Sequence, residues 1–367
     1  MTDWTAARLG QRWSFRRVSR ADFSEGPEVP QVTGGELSLS ALDDLKVTGT
    51  LDFEGPDAPD GMMRVYYSFE SGGETVELPL ATLFASCASP TYDGKSASGM
   101  LECSSSLKPM AKRLARTPYS VPAGSGAVAL AAALASECGL PVSATASAYR
   151  TPSETVFEAG TSYLEIANGM LRMAGYSSCS PDPYGTVVMA PYVEPADRAV
   201  AFSFADGEHS IMYPEVSPES ELDVPNVFAL SYESDSEGLW ATAVNADASD
   251  PRSVANADEV TEFESVFELN GETRDDRLAA LKALAASRLA DAATTVEKVS
   301  LSHAWLPVWP GDAVEVAYSA AGISWRGTVS SMRVSLSGAM RCETGLRRFS
   351  RPKFEVTVEG GVLWDGD

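Results

Sequence analysis

The chain has 367 residues, a length that suggests two or three domains, each able to bury its own core. Hydrophobic residues make up 44% and charged residues 22%, which is typical of a globular protein. With 28 Lys and Arg against 51 Asp and Glu, the net charge of −23 argues against general binding to nucleic acid or anionic lipid, which requires clustered cations. The excess of acidic residues is explained by solubility alone, and it is also consistent with a surface that nucleic acid passes without binding.

The cysteines are odd in number and include no CxxC pair, so we expect neither a zinc site nor a dense disulfide framework. Residues 1–10 lack the apolar core of a secretory signal, and the apolar run 127–135 is far too short to span a membrane. We therefore expect a protein without a membrane anchor, made in a cytoplasm, whose thiols are reduced and mostly buried.

Alternating apolar and polar residues predict strands in the first hundred residues, over 12–18, 35–39, 46–53, 63–69 and 75–84. Short alternating runs separated by Gly, Pro and Asp are typical of an antiparallel sandwich or barrel. Such strands have one apolar and one polar face, which leaves one side of a sheet free for solvent or a partner. We assign 1–105 to an N-terminal β domain.

The middle of the chain has a different periodicity. Helical spacing predicts helices over 106–116, 125–138 and 161–174, and a strand is predicted over 184–192 after a turn at 182–185. Ser162 and Glu165 have the spacing of a capping box. This pattern indicates a small α+β domain over 106–195. A connector over 196–225, rich in Pro, Glu, Asp and Ser, follows with a short strand or two.

The C-terminal third combines one long helix with strands. The helix is predicted over 274–293, where Leu278, Leu281, Ala285 and Leu289 share a face and Thr273 caps the start. Strands are predicted around it, over 226–232, 239–245, 296–303, 313–318, 323–336 and 340–349. A second β domain therefore spans 226–350. The tail 351–367 is either one more strand, over 354–358, or mobile. The predicted fold class is α+β, mainly β.

Nucleotide and nucleophile motifs are absent from the sequence. There is no GxxxxGK[ST] and no GxSxG. The nearest approach to GxGxxG is 124–129, whose last position is Ala129 and which no apolar strand precedes, so it reads as a loop that opens a helix. We predict no catalytic residue and no cofactor.

Metal-ligating and histidine patterns are equally weak. The only histidines are His209 and His303, and no HExxH is present. The loop 247–258 resembles a calcium loop only loosely, because it lacks the glycine and the closing glutamate. His303 alternates with Leu301 and Trp305 in a predicted strand, which favours a sheet histidine bonded to a neighbour. We predict no metal site.

Two alternatives stay open. Paired carboxylates could serve glycoside hydrolysis without a histidine, and tryptophans such as Trp240 and Trp305 would suit sugar stacking. A carbohydrate-degrading or carbohydrate-binding protein would use them in this way. Core packing and subunit interfaces explain the same residues.

The order of segments resembles the tail-tip hub proteins of siphophages, relatives of the contractile-phage baseplate hub. Three features of the C-terminal third carry the resemblance: the strand 226–230, the Asp250-Pro251-Arg252-Ser253 loop, and the Trp309-Pro310-Gly311-Asp312 turn. The long alanine-rich helix, a final strand with Arg347 and Arg348, the middle block 163–191 and the opening 33–38 fit as well.

The resemblance implies a non-enzymatic structural subunit with two tail-tube-like β-barrel or sandwich domains around the small α+β domain. It implies a homotrimeric ring that binds the distal tail protein or tail tube protein, the tape-measure protein, and tail fibre or tip proteins. DNA would pass through the lumen without specific binding. The protein would be assembled in the host cytoplasm and reside at the virion tail tip. The chain ends soon after Arg348, so we expect hydrolase and fibre-attachment domains on other proteins.

Interface residues are predicted in two loops, because loops with aromatic or turn residues beside strands are typical contact sites. They are Asp250, Pro251, Ser253, Trp305, Trp309 and Asp312. An ordinary role in loop or core packing explains each of them as well.

Overall fold

The structure is a computed structural model. It describes residues 11–71, 74–207, 212–219, 224–234, 236–267, 269, 271–293, 295–319, 322–338, 341–350 and 355–365. The chain divides into two compact units. Unit 1 comprises Met1–Val216 and Ser300–Leu346, and unit 2 comprises Ser217–Val299 and Arg347–Asp367.

The N-terminal strands are β1 Arg12–Val18, β2 Glu25–Glu28, β3 Val32–Ser40, β4 Val47–Gly55, β5 Gly61–Ser71, β6 Glu74–Ser86, β7 Thr91–Asp93 and β8 Ser96–Ser105. The middle elements are α1 Lys108–Lys112, β9 Tyr119–Val121, α2 Ala127–Glu137, β10 Val142–Ala144, β11 Thr155–Phe157, α3 Tyr163–Met173, β12 Ser180–Pro181 and β13 Val187–Met189. The later elements are β14 Val200–Ala205, β15 Met212–Glu219, β16 Val227–Glu233, β17 Glu237–Asn245, β18 Thr261–Val266, α4 Arg274–Ala292, β19 Thr295–Ala304, β20 Ala313–Tyr318, β21 Ile323–Ser335, β22 Arg341–Ser350 and β23 Val356–Asp365.

One large sheet forms the framework of unit 1. Its strands include the path β22-β21-β3-β4-β8-β6-β5-β1-β2, and β20 pairs with both β21 and β14. The antiparallel pairing of β21 with β3 places Val334 opposite Leu37 and Met332 opposite Leu39. All four side chains are buried. The first and last parts of unit 1 therefore share one sheet and one core.

Gly35 and Gly49 lie where β3 and β4 approach most closely. A Cβ on Gly35 would lie 2.2 Å from the Thr50 carbonyl oxygen, and one on Gly49 would lie 2.2 Å from the Glu36 carbonyl oxygen. Gly35 also has φ +140°, which L side chains rarely adopt. Any larger residue at either position would push the two strands apart.

Three helices and short strands make up the helical segment of unit 1, residues 106–193. Helix α3 begins with the predicted capping box: the Glu165 N–H donates to Ser162 Oγ at 3.1 Å, and the Ser162 N–H donates to the Glu165 carboxylate at 2.8 Å. The segment has its own apolar core, which includes Leu134, Leu164, Leu171 and Met189.

A buried arginine joins this segment to the large sheet. Arg64 on β5 donates from Nε to Thr82 Oγ1 at 2.8 Å and from Nη2 to the Tyr184 carbonyl oxygen at 2.9 Å, and its Nη1 pairs with Glu25. Thr82 donates in turn to the Pro183 carbonyl oxygen at 2.8 Å. All three nitrogens of a side chain that is only 4% exposed are therefore satisfied.

Unit 2 is a four-stranded sheet in the order β18-β16-β17-β23, with α4 on one face. Leu281, Ala285 and Leu289 of α4 are fully buried against Leu230 and Ala241 of the sheet. Thr273 caps the helix as predicted, and Asp276 completes a capping box. The tail contributes β23, longer than the predicted strand 354–358, of which Phe354 lies outside the described residues.

Several elements differ from their predicted lengths. Helix α1 is much shorter than 106–116, because the backbone after Lys112 bonds to the start of α3: the Ala115 N–H donates to the Thr161 carbonyl oxygen at 2.9 Å. The predicted strand 184–192 shrinks to Val187–Met189, since its first residues form the Asp182 turn. The unit boundaries also differ from 1–105, 106–195, 196–225 and 226–350, because β21 pairs with β3.

Replacing Arg64 by Met should lower the free energy of unfolding by about 3 kcal/mol, because the Thr82 hydroxyl, the Tyr184 carbonyl and the Glu25 carboxylate lose a buried partner. Chemical denaturation measures this change. The matched control is Arg16→Met: the Arg16 and Glu25 side chains are each 31% exposed, so we expect a loss of about 1 kcal/mol or less. Equal losses in the two variants would show that Arg64 does not hold the helical segment in place.

Candidate interface surfaces

One face of the unit 1 sheet is polar across five strands. Along β22, β21, β3, β4 and β8, the apolar residues point into the core and the alternate residues point outward, as the pleat requires. The outward side chains are mostly small or acidic. They are Glu36, Ser38, Thr50, Asp52, Glu54, Ser98, Met100, Glu102, Ser331, Arg333, Arg341 and Glu343. We call this surface the polar face.

The cations of the polar face are neutralised locally. Arg333 pairs with Glu36 at 3.3 Å, and Arg341 pairs with Glu343 at 3.6 Å. Among the twelve residues named, five carboxylates against two guanidinium groups give 2 − 5 = −3. Within the described part of the chain, Asp52, Glu54 and Glu102 have no ion-pair partner. The face therefore carries uncompensated negative charge on small side chains.

The second candidate surface is the pair of edges of the unit 2 sheet. On β18, Phe263 is 66% exposed, and Phe267 just after it is 86% exposed. On β23, at the other edge, Val362, Leu363 and Trp364 are 39–51% exposed. Large apolar side chains on an edge strand favour pairing with another chain. We call these five residues the apolar edges.

The two edge strands run in the same direction. Strand β18 is parallel to β16, and β17 is antiparallel to both β16 and β23. Rotation about a ring axis does not change the direction of a strand relative to that axis. Strand β18 of one copy could therefore lie parallel to β23 of the next copy. This is the head-to-tail contact of a cyclic ring.

The predicted loop in unit 2 is held by its own hydrogen bonds. The Asp250 carboxylate accepts from Asn245 Nδ2 at 2.9 Å and from the Arg252 N–H at 3.0 Å. Ser253 is completely buried, and Pro251 is exposed. Asn226, which sequence reasoning missed, donates from Nδ2 to the Arg252 and Asp258 carbonyl oxygens at 3.0 and 2.9 Å. Of the three predicted residues of this loop, Pro251 is therefore the exposed one.

The predicted segment in unit 1 is largely internal. Trp305 is 1% exposed, and its ring packs edge-on against that of Trp309, with centroids 6.3 Å apart. The Asp312 carboxylate accepts from the Trp309 N–H at 2.9 Å and closes the turn, and burial raises the pKa of that carboxyl. The structure does not bring this segment and the Asp250 loop into one unit, and an interface role for these six residues remains a prediction.

Arg198 is a second residue that sequence reasoning missed. Its Nε donates to the Val193 carbonyl oxygen at 2.9 Å, and its Nη1 donates to the carbonyl oxygen of Gly311 in the Asp312 turn. Gly311 has φ +100°, which explains the glycine at this turn position. No local pattern marked Arg198, because Gly311 lies far along the chain and the bond to Val193 follows no helical or strand period.

His303 is a sheet histidine, as predicted. It is completely buried in unit 1, with Nδ1 2.6 Å from the Ala304 carbonyl oxygen and Nε2 2.8 Å from Thr344 Oγ1. Burial lowers the pKa of His303 to about 4, so the ring is neutral near pH 7. The other histidine, His209, lies outside the described residues. Among the residues that the structure describes, no group of three or more His, Cys, Asp or Glu side chains is placed to hold a metal ion.

The buried neutral His303 predicts a pH dependence of stability. The pKa of about 4 in the folded state lies below the unfolded value near 6.5, so its contribution is complete above pH 6.5 and is lost as the pH falls toward 4. Between pH 7 and pH 5, wild type should lose about 2 kcal/mol more than His303→Gln. Denaturant titrations at both pH values measure the difference, and parallel losses would contradict it.

The sequence matches no protein-family model and no curated protein at a significant level. Solved structures do match. The tail protein from Neisseria meningitidis MC58 is 16% identical, and the match covers 92% of this chain and 97% of that one with a TM-score of 0.57. The 43 kDa tail protein of prophage MuSo2 from Shewanella oneidensis is 13% identical, with coverages of 94% and 99% and a TM-score of 0.58.

A chain of the lidded Francisella PdpA-VgrG complex is 9% identical, with a TM-score of 0.52 over 96% of this chain and 55% of that one. These likenesses show that the chain has the fold of phage tail proteins along almost its entire length. They confirm the predicted fold class, mainly β with α, and the predicted resemblance to phage tail proteins. The described sheets are open ones. No helix in the described ranges is long and apolar enough to cross a membrane.

Proposed function

We propose that this protein is a structural hub subunit of a phage tail tip. Three copies form a ring that joins the tail tube, or the distal tail protein, to tip and fibre proteins and surrounds the channel through which DNA leaves. The tail-protein fold supports the structural role. The observation that carries the proposal furthest is the polar face, which has the chemistry of a wall that DNA passes.

The polar face suits a channel wall because charge acts only at short range. At physiological ionic strength the screening length is about 8 Å, so the net charge of the whole chain has little effect on DNA inside a channel. The carboxylates that face the channel decide the interaction. On the polar face both guanidinium groups are paired with carboxylates, and Asp52, Glu54 and Glu102 remain to repel phosphates. The neighbouring Ser and Thr side chains are short and make few contacts with DNA that passes.

Reversing the charge of the polar face should create DNA binding. The triple variant Asp52→Lys, Glu54→Lys and Glu102→Lys should bind double-stranded DNA at 50 mM salt and lose that binding steeply by 200 mM, because it rests on phosphate contacts. Wild type should not bind. Fluorescence anisotropy with a labelled duplex measures both.

The control carries the same change in charge at exposed positions elsewhere, in Glu28→Lys, Glu158→Lys and Glu272→Lys. It should bind DNA at least tenfold more weakly than the polar-face variant, although its net charge is identical. Equal binding by the two triple variants would mean that net charge alone matters. The polar face would then have no special relation to DNA.

The apolar edges should drive assembly. Native mass spectrometry should find a homotrimer, and negative-stain images should show a ring with a central opening. Phe263→Asp with Phe267→Asp should shift the protein to monomer at micromolar concentration, because charges replace the most exposed aromatic side chains of the edge.

The matched control replaces Leu42 and Val156 by Asp. These side chains are 62% and 58% exposed but lie off the unit 2 sheet, so the trimer should persist. A compact wild-type monomer with no ring would contradict the hub.

The hub is proposed to have no enzymatic activity and no cofactor. Host cell wall incubated with the purified protein should release no reducing sugar above a buffer control. Release of sugar would instead support a carbohydrate-degrading tail-tip protein. Retention on host polysaccharide without cleavage would support a carbohydrate-binding one.

A further inference from the structure

An aromatic cluster in unit 1 joins the start of the chain to its C-terminal part. Trp13 on β1 lies directly opposite Tyr67 on β5. The Tyr67 ring is 4.5 Å from that of Trp305 and 5.6 Å from that of Phe69, and Trp309 completes the group. We call these five residues the aromatic cluster.

Four side chains of the aromatic cluster carry a buried polar hydrogen. These hydrogens belong to Nε1 of Trp13, Trp305 and Trp309 and to the hydroxyl of Tyr67. None of these atoms is reached by solvent, and no described residue accepts a hydrogen bond from them. Native proteins satisfy nearly all buried donors, because each unsatisfied one costs about 1–3 kcal/mol. Four unsatisfied donors in one cluster therefore favour the presence of an acceptor that is not part of the described chain.

The chemistry of the four groups limits what that acceptor can be. An indole N–H only donates, and burial raises the pKa of Tyr67 to about 12, so its hydroxyl keeps its proton. An anion would need a cation close by, and the members of the cluster are all uncharged. The acceptor must also be small, because Tyr67 and Trp305 are at most 1% exposed. A neutral molecule with two lone pairs meets all three conditions.

We propose that the aromatic cluster encloses an internal hydration site, a permanent binding site for water. A water molecule has two lone pairs, so each one accepts from one or two of these donors. The waters link β1, β5 and the segment after β19 through polar contacts in a part of the core that is otherwise apolar. The site is independent of the assembly of the protein and is present in the single chain.

Removal of the Tyr67 hydroxyl tests whether this hydroxyl binds water or has no hydrogen-bond partner. If water binds it, Tyr67→Phe loses a hydrogen bond, and the melting temperature should fall by about 2–4 °C. If the hydroxyl is an orphan, the melting temperature should stay the same or rise, which would overturn the proposal. Tyr66→Phe is the control for a real loss, because the Tyr66 hydroxyl donates to Glu25.

Water contact can be observed directly at the indoles. In protein labelled with ¹⁵N-tryptophan, the Nε1 protons of Trp13, Trp305 and Trp309 should show rotating-frame cross-peaks to water together with slow exchange against D2O. Single Trp→Phe variants assign the three signals. Trp364, which is 40% exposed, should instead exchange quickly. Slow exchange without a water cross-peak, with the upfield shift of an N–H over an aromatic ring, would refute the hydration site.

Discussion

The pairing of β3 with β21 is the constraint on which unit 1 depends. It joins residues near the start of the chain to residues near its end, with Leu37 and Val334 completely buried at the seam. Closing so long a loop costs chain entropy before any contact compensates for it. The chain that leaves β3 must therefore come back to lie directly beside it at β21. The polar face exists only after this pairing, because its strands come from both ends of unit 1.

Polar groups buried at the junctions of unit 1 are handled in two ways. At the helical segment, Arg64 has a protein acceptor for each of its three nitrogens. In the aromatic cluster, the donors of Trp13, Tyr67 and Trp305 have none among the described residues. Both junctions connect segments that are distant in sequence. A buried polar group at such a junction favours one packing of the two segments, because any other packing would leave that group without a hydrogen-bond partner.

The proposed function rests on where charges lie and not on how many there are. A charge of −23 spread over a surface is screened within about 8 Å, so it describes solubility more than mechanism. The polar face concentrates three uncompensated carboxylates among Ser and Thr residues. The apolar edges of unit 2 place exposed aromatic side chains at strands with a common direction. The proposal assigns the apolar edges to contacts between copies and the polar face to the passing DNA.

The sequence by itself determined the local structure of this protein. The Ser162 capping box, the four-residue apolar face of α4 and the alternation along β3 depend on neighbours within a few residues, and the structure confirms each of them. The mainly β class follows from the same local periods. The length of α1 could not be read in this way, because its last turn was lost to bonds with the start of α3.

Only the tertiary structure decided which strands share a sheet. It grouped β21 with β3, buried Trp305 where a contact residue had been predicted, and gave Arg64 and Arg198 their partners. The sequence also could not reveal the polar face. An alternating strand shows that it has a polar side, but it does not show which other strands lie beside it. Hydrogen bonds between distant strands leave no periodic trace in a sequence. Their partners are fixed by packing, which acts only once the chain has folded.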